Sequence, residues 1–345
     1  MIILINQLKN LKKKLIWYKI VNLIIYPIFN FFWKNIINFE GRVLYLLHHS
    51  KININSKYSI NESMNDKIII ENDDIFLKLS NKIKSNIYKN NLIDKSNYEL
   101  ESNLVSKSNN KFKSGSNAYV NDIFDGLDND LKQEIIKFSL SHEIYISASQ
   151  YFGTVPVIAK INLLHNTINK QQKPRASMLW HKDDFGFKSL DLFLAISDIS
   201  EANGPFEYVK QKCPIGVFYK IDSNLKQQET GQRNKIDSSQ FKKYFKEESL
   251  GKFTGKSGTG ILVDSFTVYH RGGNCLSDYR LMLRISYQTP DSHGLSKKNS
   301  RFLYKYINDN QIYANMVHKY SLSKRNFFNW SIPLLKFYRL FHYKA

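Results

Sequence analysis

At Val155 the apolar period of this chain changes, and that change limits its fold more than any other feature. Upstream, apolar residues recur at helical spacing: Leu4, Leu8, Leu11, Leu15 and Tyr18, then Ile75, Leu79, Ile83 and Ile87. A further helix is expected through Ile135, Phe138 and Ile146, capped by Asp130 and stopping near Gly153. Downstream the chain reads as short strands at 155–164, 177–181, 190–199, 206–209 and 215–221, and again from Gly260 to about Gln288. Asn203-Gly204-Pro205 is a turn, and residues 222–250 are a polar insertion with weak helical character at 239–245. Helices followed by a run of strands predict a β-rich α+β fold. The expected form is a double-stranded β-helix (an antiparallel, cupin-like jelly roll) with supporting helices on one face. The expected organisation is a basic, aromatic helical extension at 1–60, a main domain at 61–300 with its jelly-roll core at about 145–290, and a helical aromatic and basic tail at 301–345.

Both chemistry-bearing stretches lie in the strand-rich part. The first is Ser177-Met-Leu-Trp-His181-Lys-Asp183-Asp184. On a strand, residues i and i+2 share a face, so His181 and Asp183 can grip one ion while Lys182 and Asp184 point away. Asp183 is therefore the preferred carboxylate. The second stretch runs from Gly260 through Val263, Asp264 and a strand-like 266–269 to His270, ahead of an expected turn at Arg271-Gly272-Gly273. Two histidines and one carboxylate form the ligand set of a non-haem iron site, which leaves positions open for a co-substrate and O₂.

Arg280 follows at the head of Arg-Leu-Met-Leu-Arg-Ile-Ser. A guanidinium forks onto a carboxylate and never loses its charge. Arg280 is thus the expected anchor for the far carboxylate of 2-oxoglutarate. Arg284 shares its strand face and is the rival anchor.

Charge and cysteine content bound the remaining classes. A formal charge of +20 admits nucleic acid or an acidic surface as partner. The basic residues are mostly scattered Lys rather than clustered Arg, so no nucleic-acid partner is expected. Two cysteines, Cys213 and Cys275, make no disulfide framework and suit a cytoplasmic protein. Cys275, between His270 and Arg280, reads as a small packing residue. The charge-free run 20–33 is shorter than the ~20 residues of a membrane span. It and the aromatic 325–345 tail either pack on the core or make peripheral contact with a membrane. The sequence leaves the oligomeric state open.

Other motifs do not assemble. Gly251-Lys-Phe-Thr-Gly255-Lys256-Ser257 has too few residues between its glycines for a phosphate loop and leads into a strand. The adjacent His48 and His49 project differently on any regular element. His142, His165, His293, His318 and His342 have no partner at ligand spacing.

With these residues on the page, the chain resembles the phytanoyl-CoA dioxygenase-like family of Fe(II)/2-oxoglutarate oxygenases. The resemblance rests on Trp180-His181-Lys-Asp183, the strand 189–199 with its Asn203-Gly204-Pro205 turn, Gly258 to Asp264, His270-Arg-Gly-Gly and Ser277-Asp278-Tyr-Arg280, led in by Tyr151-Phe-Gly-Thr-Val-Pro156. It covers roughly 145–290. Val209-Lys-Gln-Lys-Cys213 departs from the Gly-Ser-His turn that many members carry there. The resemblance implies Fe(II) on His181, Asp183 and His270, with 2-oxoglutarate on Arg280 and O₂ as oxidant. It implies hydroxylation of a small organic or lipid-like substrate, with succinate and CO₂ as co-products. Related halogenases lack the carboxylate, so Asp183 implies hydroxylation. The alternative reading is a non-catalytic jelly roll that binds a carbohydrate or lipid.

Overall fold

The computed structural model describes residues 26–49, 58, 67–71, 73–93, 120–168, 176–183, 188–210, 235–289 and 292. Eleven strands are described: β1 (Lys67–Ile70), β2 (Val120–Asp122), β3 (Val157–Asn166), β4 (Trp180–His181), β5 (Ser189–Ala195), β6 (Phe206–Val209), β7 (Lys235–Ile236), β8 (Leu250–Phe253), β9 (Gly260–Val263), β10 (His270–Gly272) and β11 (Arg280–Gln288). They form one sheet in the order β1-β9-β5-β11-β3-β2 and a second in the order β7-β4-β10-β6-β8. Every described pairing is antiparallel. The chain shuttles between the sheets: β3, β5, β9 and β11 lie in the first, β4, β6, β8 and β10 in the second. That interleaving is the jelly roll. β1 and β2 extend the ends of one sheet, and β7 adds an edge to the other.

Period-2 alternation assigns each strand two faces. On β11, Leu281, Leu283, Ile285 and Tyr287 join the larger core, against Phe76, Ile83, Ile135 and Phe152 of the helical layer. Met282 lies on the opposite face, in a second core with Phe193, Phe206, Ile261 and Val263 between the sheets. Arg280, Arg284 and Ser286 share the face of Met282. A sheet covered on both sides reads as a near-continuous apolar run. The polar residues that interrupt it on the inner face mark the site.

Six α-helices are described: α1 (Tyr26–Phe32), α2 (Phe39–His49), α3 (Asp74–Lys89), α4 (Asn129–Ser139), α5 (His142–Phe152) and α6 (Ser238–Phe241). Asp73 caps α3, its carboxylate accepting from the Ile75 and Phe76 amides. Leu79, Ile83 and Ile87 are buried as the periodicity predicts, but Phe76 takes the place expected of Ile75, which is half exposed. The single helix expected up to Gly153 is two, broken at Leu140-Ser141, and Asp128 rather than Asp130 stands at the N-cap position of the first, without a side-chain capping bond. Gly153, at φ 64°, closes the second. Trp33 is fully buried in the same core, whereas Phe31, Phe32, Phe39, Leu46 and Leu47 are exposed. No helix among the described residues is long and apolar enough to cross a membrane. The strand expected at 215–221 and the helical tail lie outside the described residues.

The larger core also holds a titratable group. His165 is buried against the Tyr279 ring, and its Nε2 has no hydrogen-bond partner among the described residues. Burial pushes its pKa down to about 4. The unfolded chain takes up this proton near pH 6.5, the folded chain only near pH 4. Stability therefore falls as pH drops through that window, by up to about 3 kcal/mol for a shift of this size. Denaturant unfolding of metal-free protein at pH 7 and at pH 4.5 should show the loss. His165→Leu should remove most of that part of the slope.

Candidate metal centre

Three of the sequence-predicted ligands come together. One ligand atom from each of His181, Asp183 and His270 lies within 4.8 Å of the others. His181 ends β4, and His270 opens β10 directly opposite it in the antiparallel register. The ring centroids are 4.4 Å apart. Both side chains leave on the inner face, because Trp180 before His181 and Tyr269 before His270 pack in a separate outer cluster with Phe241. Asp183 lies just past β4 rather than within a longer strand. Its amide donates to the Ser265 carbonyl at 2.8 Å, which returns its carboxylate to the inner face.

The neighbourhood of His270 differs from expectation in two ways. Residues 266–269 are not a strand: the chain turns at 265–267 and bends at Val268, because the Asp264 carboxylate accepts from the Phe266 and Thr267 amides. Arg271 and Gly272 belong to β10 instead of a turn. Arg271 points outward, where it forks onto Glu207 at 2.8 and 2.9 Å and lies over Trp180.

Each imidazole is set by its backbone. His181 Nδ1 lies 2.7 Å from the Leu179 carbonyl and His270 Nδ1 3.0 Å from that of Val268. A carbonyl only accepts, so Nδ1 carries the proton and Nε2 presents its lone pair. The two Nε2 atoms stand 3.6 and 4.0 Å from the same oxygen, Oδ1 of Asp183. Burial, with help from His270 and Lys235, pushes the His181 pKa down to about 3. That ring is neutral at ordinary pH, the form a cation needs.

The other carboxylate oxygen of Asp183 is occupied. Arg284 Nη2 donates to Asp183 Oδ2 at 2.7 Å and to Asp191 Oδ2 at 2.8 Å, and Nε donates to Asp191 Oδ1. Ser286 completes the group by donating to Asp191. Burial alone would raise the Asp183 pKa, but Arg284 and the two histidines outweigh it and hold the carboxyl at about 2. Oδ1 is thus left ionised and facing the histidines. Arg284 orients a ligand, a role the sequence reading missed; its signal lies in Asp191, a lone carboxylate in an apolar strand.

Arg280 is the opposite case. Its side chain is 2% exposed, and its Nε and Nη1 are buried without a hydrogen-bond partner. Burial pushes its pKa below the ordinary arginine value. The guanidinium faces Gly272: Nη2 is 3.5 Å from where a Cβ on that residue would sit. Gly272 is two residues from His270 along β10, about 7 Å by strand rise. Buried polar groups are almost always paired, so a buried guanidinium with two donors unpaired among the described residues, beside a side-chain-free position, fits an anion. Together the donors fit a divalent cation with an acidic co-ligand.

The other candidates stay apart. Cys275 is buried with its thiol on the Asn203 carbonyl at 3.1 Å, outside the cluster. Residues 251–257 belong to β8 and to the loop that leads from it to β9 in the other sheet, so they cradle no phosphate at a helix start. Gly204, at φ 64°, brings its turn against the backbone of Gly273 and Asn274, so that a Cβ there would lie 2.4 Å from Asn274. This close approach fixes the loop between β10 and β11.

No family model matches the sequence, and a search of curated proteins finds no match. Among solved structures, the chain is similar to EctD from S. alaskensis with 2-oxoglutarate and 5-hydroxyectoine. That match has 14% identity and a TM-score of 0.43, over 69% of this chain and 79% of the other. It is similar to the non-haem α-ketoglutarate-dependent carbocyclase SnoK from nogalamycin biosynthesis, with 12% identity and TM-score 0.41 over 70% and 86%. The epimerase SnoN, solved with Fe³⁺, α-ketoglutarate and nogalamycin RO, gives 14% and 0.41 over 70% and 85%.

Proposed function

We propose that this chain is an Fe(II)- and 2-oxoglutarate-dependent oxygenase that hydroxylates a small organic substrate. His181, Asp183 and His270 would hold the metal, and Arg280 would anchor the far carboxylate of the co-substrate. The observation that carries the reading is the pairing of the two arginines on one strand face. Arg284 is consumed by Asp183 and Asp191, while Arg280 is buried with unmatched donors. A relict binding fold has no need of either. Iron with 2-oxoglutarate and O₂ supplies oxidation of an unactivated C–H bond, with succinate and CO₂ as co-products.

This chain's own residues do the rest. The Leu179 and Val268 carbonyls take the Nδ1 side of each histidine, so both rings turn Nε2 toward the metal position. Arg284 holds one oxygen of Asp183 and frees the other. Phe206 packs 5.3 Å from the His270 ring and walls the site with apolar surface, which keeps bulk water off the reacting position. Arg280 sets the direction in which a dicarboxylate can lie.

The test is anaerobic titration of purified protein with Fe(II) and 2-oxoglutarate, following the visible charge-transfer band of the chelate. The native protein should develop the band. Arg280→Met should need about 10- to 100-fold more 2-oxoglutarate, the loss of a charge-assisted bond worth about 1.5–3 kcal/mol. Its Fe(II) affinity should be unchanged. Folded native protein that binds neither iron nor 2-oxoglutarate would sink the reading. If Arg284→Met weakens 2-oxoglutarate and Arg280→Met does not, the anchor is misassigned.

A further inference from the structure

One register row of the second sheet runs Lys235–His181–His270–Tyr208 across β7, β4, β10 and β6. Directly opposed residues on a sheet face have Cβ atoms about 4.5–5.5 Å apart. Lys235 therefore stands beside His181, on the flank away from His270. Its direction follows from its neighbour: Ile236 packs outward with Trp180 and Phe241, so Lys235 projects inward with the histidines. The ammonium is half-buried and feels the charges of Asp183 and His181. It makes no hydrogen bond or ion pair among the described residues.

A lysine in that place needs an explanation. Asp183 attracts the ammonium without hydrogen-bonding it: Arg284 holds Oδ2 and the histidines face Oδ1. A divalent cation on the histidines would add positive charge next to it. Long flexible lysines ordinarily carry their ammonium to water; this one starts from a register position beside His181, and its ammonium is partly buried and feels the Asp183 charge. Arg280 and Lys235 thus form two unmatched cations on the inner surface. Arg280 sits beside Gly272 and Lys235 lies beyond His181 at the sheet edge, on different sides of the ligand row. One dicarboxylate running from the metal to Arg280 does not satisfy Lys235.

We infer that Lys235 receives a carboxylate of the substrate itself, so that this site takes a small monoanionic acid. The inference rests on the oxygenase reading above and names its substrate class. A carboxylate suits the position better than a phosphate: the described residues offer one ammonium there, against a phosphoryl charge near −2 and three acceptor oxygens.

The test uses the full chain loaded with Zn(II), which is redox-inert, and saturated with 2-oxoglutarate. The probes are para-fluorobenzoate and para-fluorophenylacetate, each with its uncharged primary amide, followed by fluorine NMR line broadening. At least one acid should bind about tenfold or more tightly than its amide. Lys235→Met should remove that preference while changing 2-oxoglutarate affinity less than about twofold, and Lys235→Arg should retain it. Lys235 is half-buried on a short edge strand, so both variants should keep the native unfolding midpoint. Equal binding of acids and amides by the native protein overturns the inference, as does a preference that survives in Lys235→Met. If Lys235→Met weakens 2-oxoglutarate as Arg280→Met does, Lys235 serves the co-substrate and the inference fails while the oxygenase reading stands. Native protein that never binds 2-oxoglutarate fails at the loading step, and there the oxygenase reading falls first.

Discussion

His270→Ala should lose Fe(II) binding by two orders of magnitude or more, and with it the charge-transfer band, while the protein stays folded. Removing the ring takes away one Nε2 of a three-ligand cluster. If apparent metal-binding energies of about 10–16 kcal/mol are shared over four ligands, each ligand is worth about 3 kcal/mol, more than a hundredfold in affinity. His181→Ala should behave in the same way. The metal-free fold should lose little, because each ring makes one hydrogen bond to a backbone carbonyl, at about 1 kcal/mol. Equilibrium dialysis of iron and a denaturation midpoint, measured on the same samples, separate the two effects. A variant that binds iron as the native protein does would show that the three side chains do not ligate it.

Arg284→Met should act in the opposite sense, on stability first. The substitution leaves Asp191, which is fully buried, with Ser286 as its remaining side-chain partner, and it leaves Asp183 facing two histidines alone. Breaking a buried ion pair by removing one partner costs about 3–5 kcal/mol, because the remaining charge has neither water nor a counter-ion. Against a whole-domain stability of about 5–15 kcal/mol this is a large fraction. Urea unfolding at pH 7 should show a much lower midpoint, and Asp191→Asn in the same background should recover part of it. The pH dependence has a definite sign. The Asp183 carboxyl lies at about 2 in the folded protein, below its usual value near 3.9. Its contribution to stability is present above pH 4 and is lost as pH falls toward 2. In Arg284→Met the carboxyl rises, so this loss should begin at a higher pH. An unfolding midpoint unchanged by Arg284→Met would show that the Arg284–Asp191–Asp183 network contributes nothing net.

The jelly roll and the convergence of His181, Asp183 and His270 were legible because each depends on local pattern. The strand period after Val155, the Asn203-Gly204-Pro205 turn and the i, i+2 pair of His181 and Asp183 are features of neighbouring residues. The errors arose where a side chain competed with the backbone pattern. Residues 266–269 have the aromatic and β-branched composition of a strand, but the Asp264 carboxylate captures the next amides and makes a turn. Asp128 and Asp130 are equally good caps by type, and tertiary position chose the first: Asn86 and Asn90 of α3 donate to its carboxylate.

The sequence by itself determined which residues could bind a metal and which strand carried an arginine near them, because residue type and period are written in order along the chain. It could not choose between Arg280 and Arg284, which share one face of one strand. What separates them in the fold is Asp191, 93 residues upstream of Arg284 and brought beside it by the pairing of β5 with β11, which engages Arg284 in an ion pair. Nor could it place Lys235 next to His181, since β7 is two residues long and its partner is known only when the sheet forms. Charge compensation is decided between residues distant in sequence, so only the tertiary structure shows which of the described cations are paired within the fold.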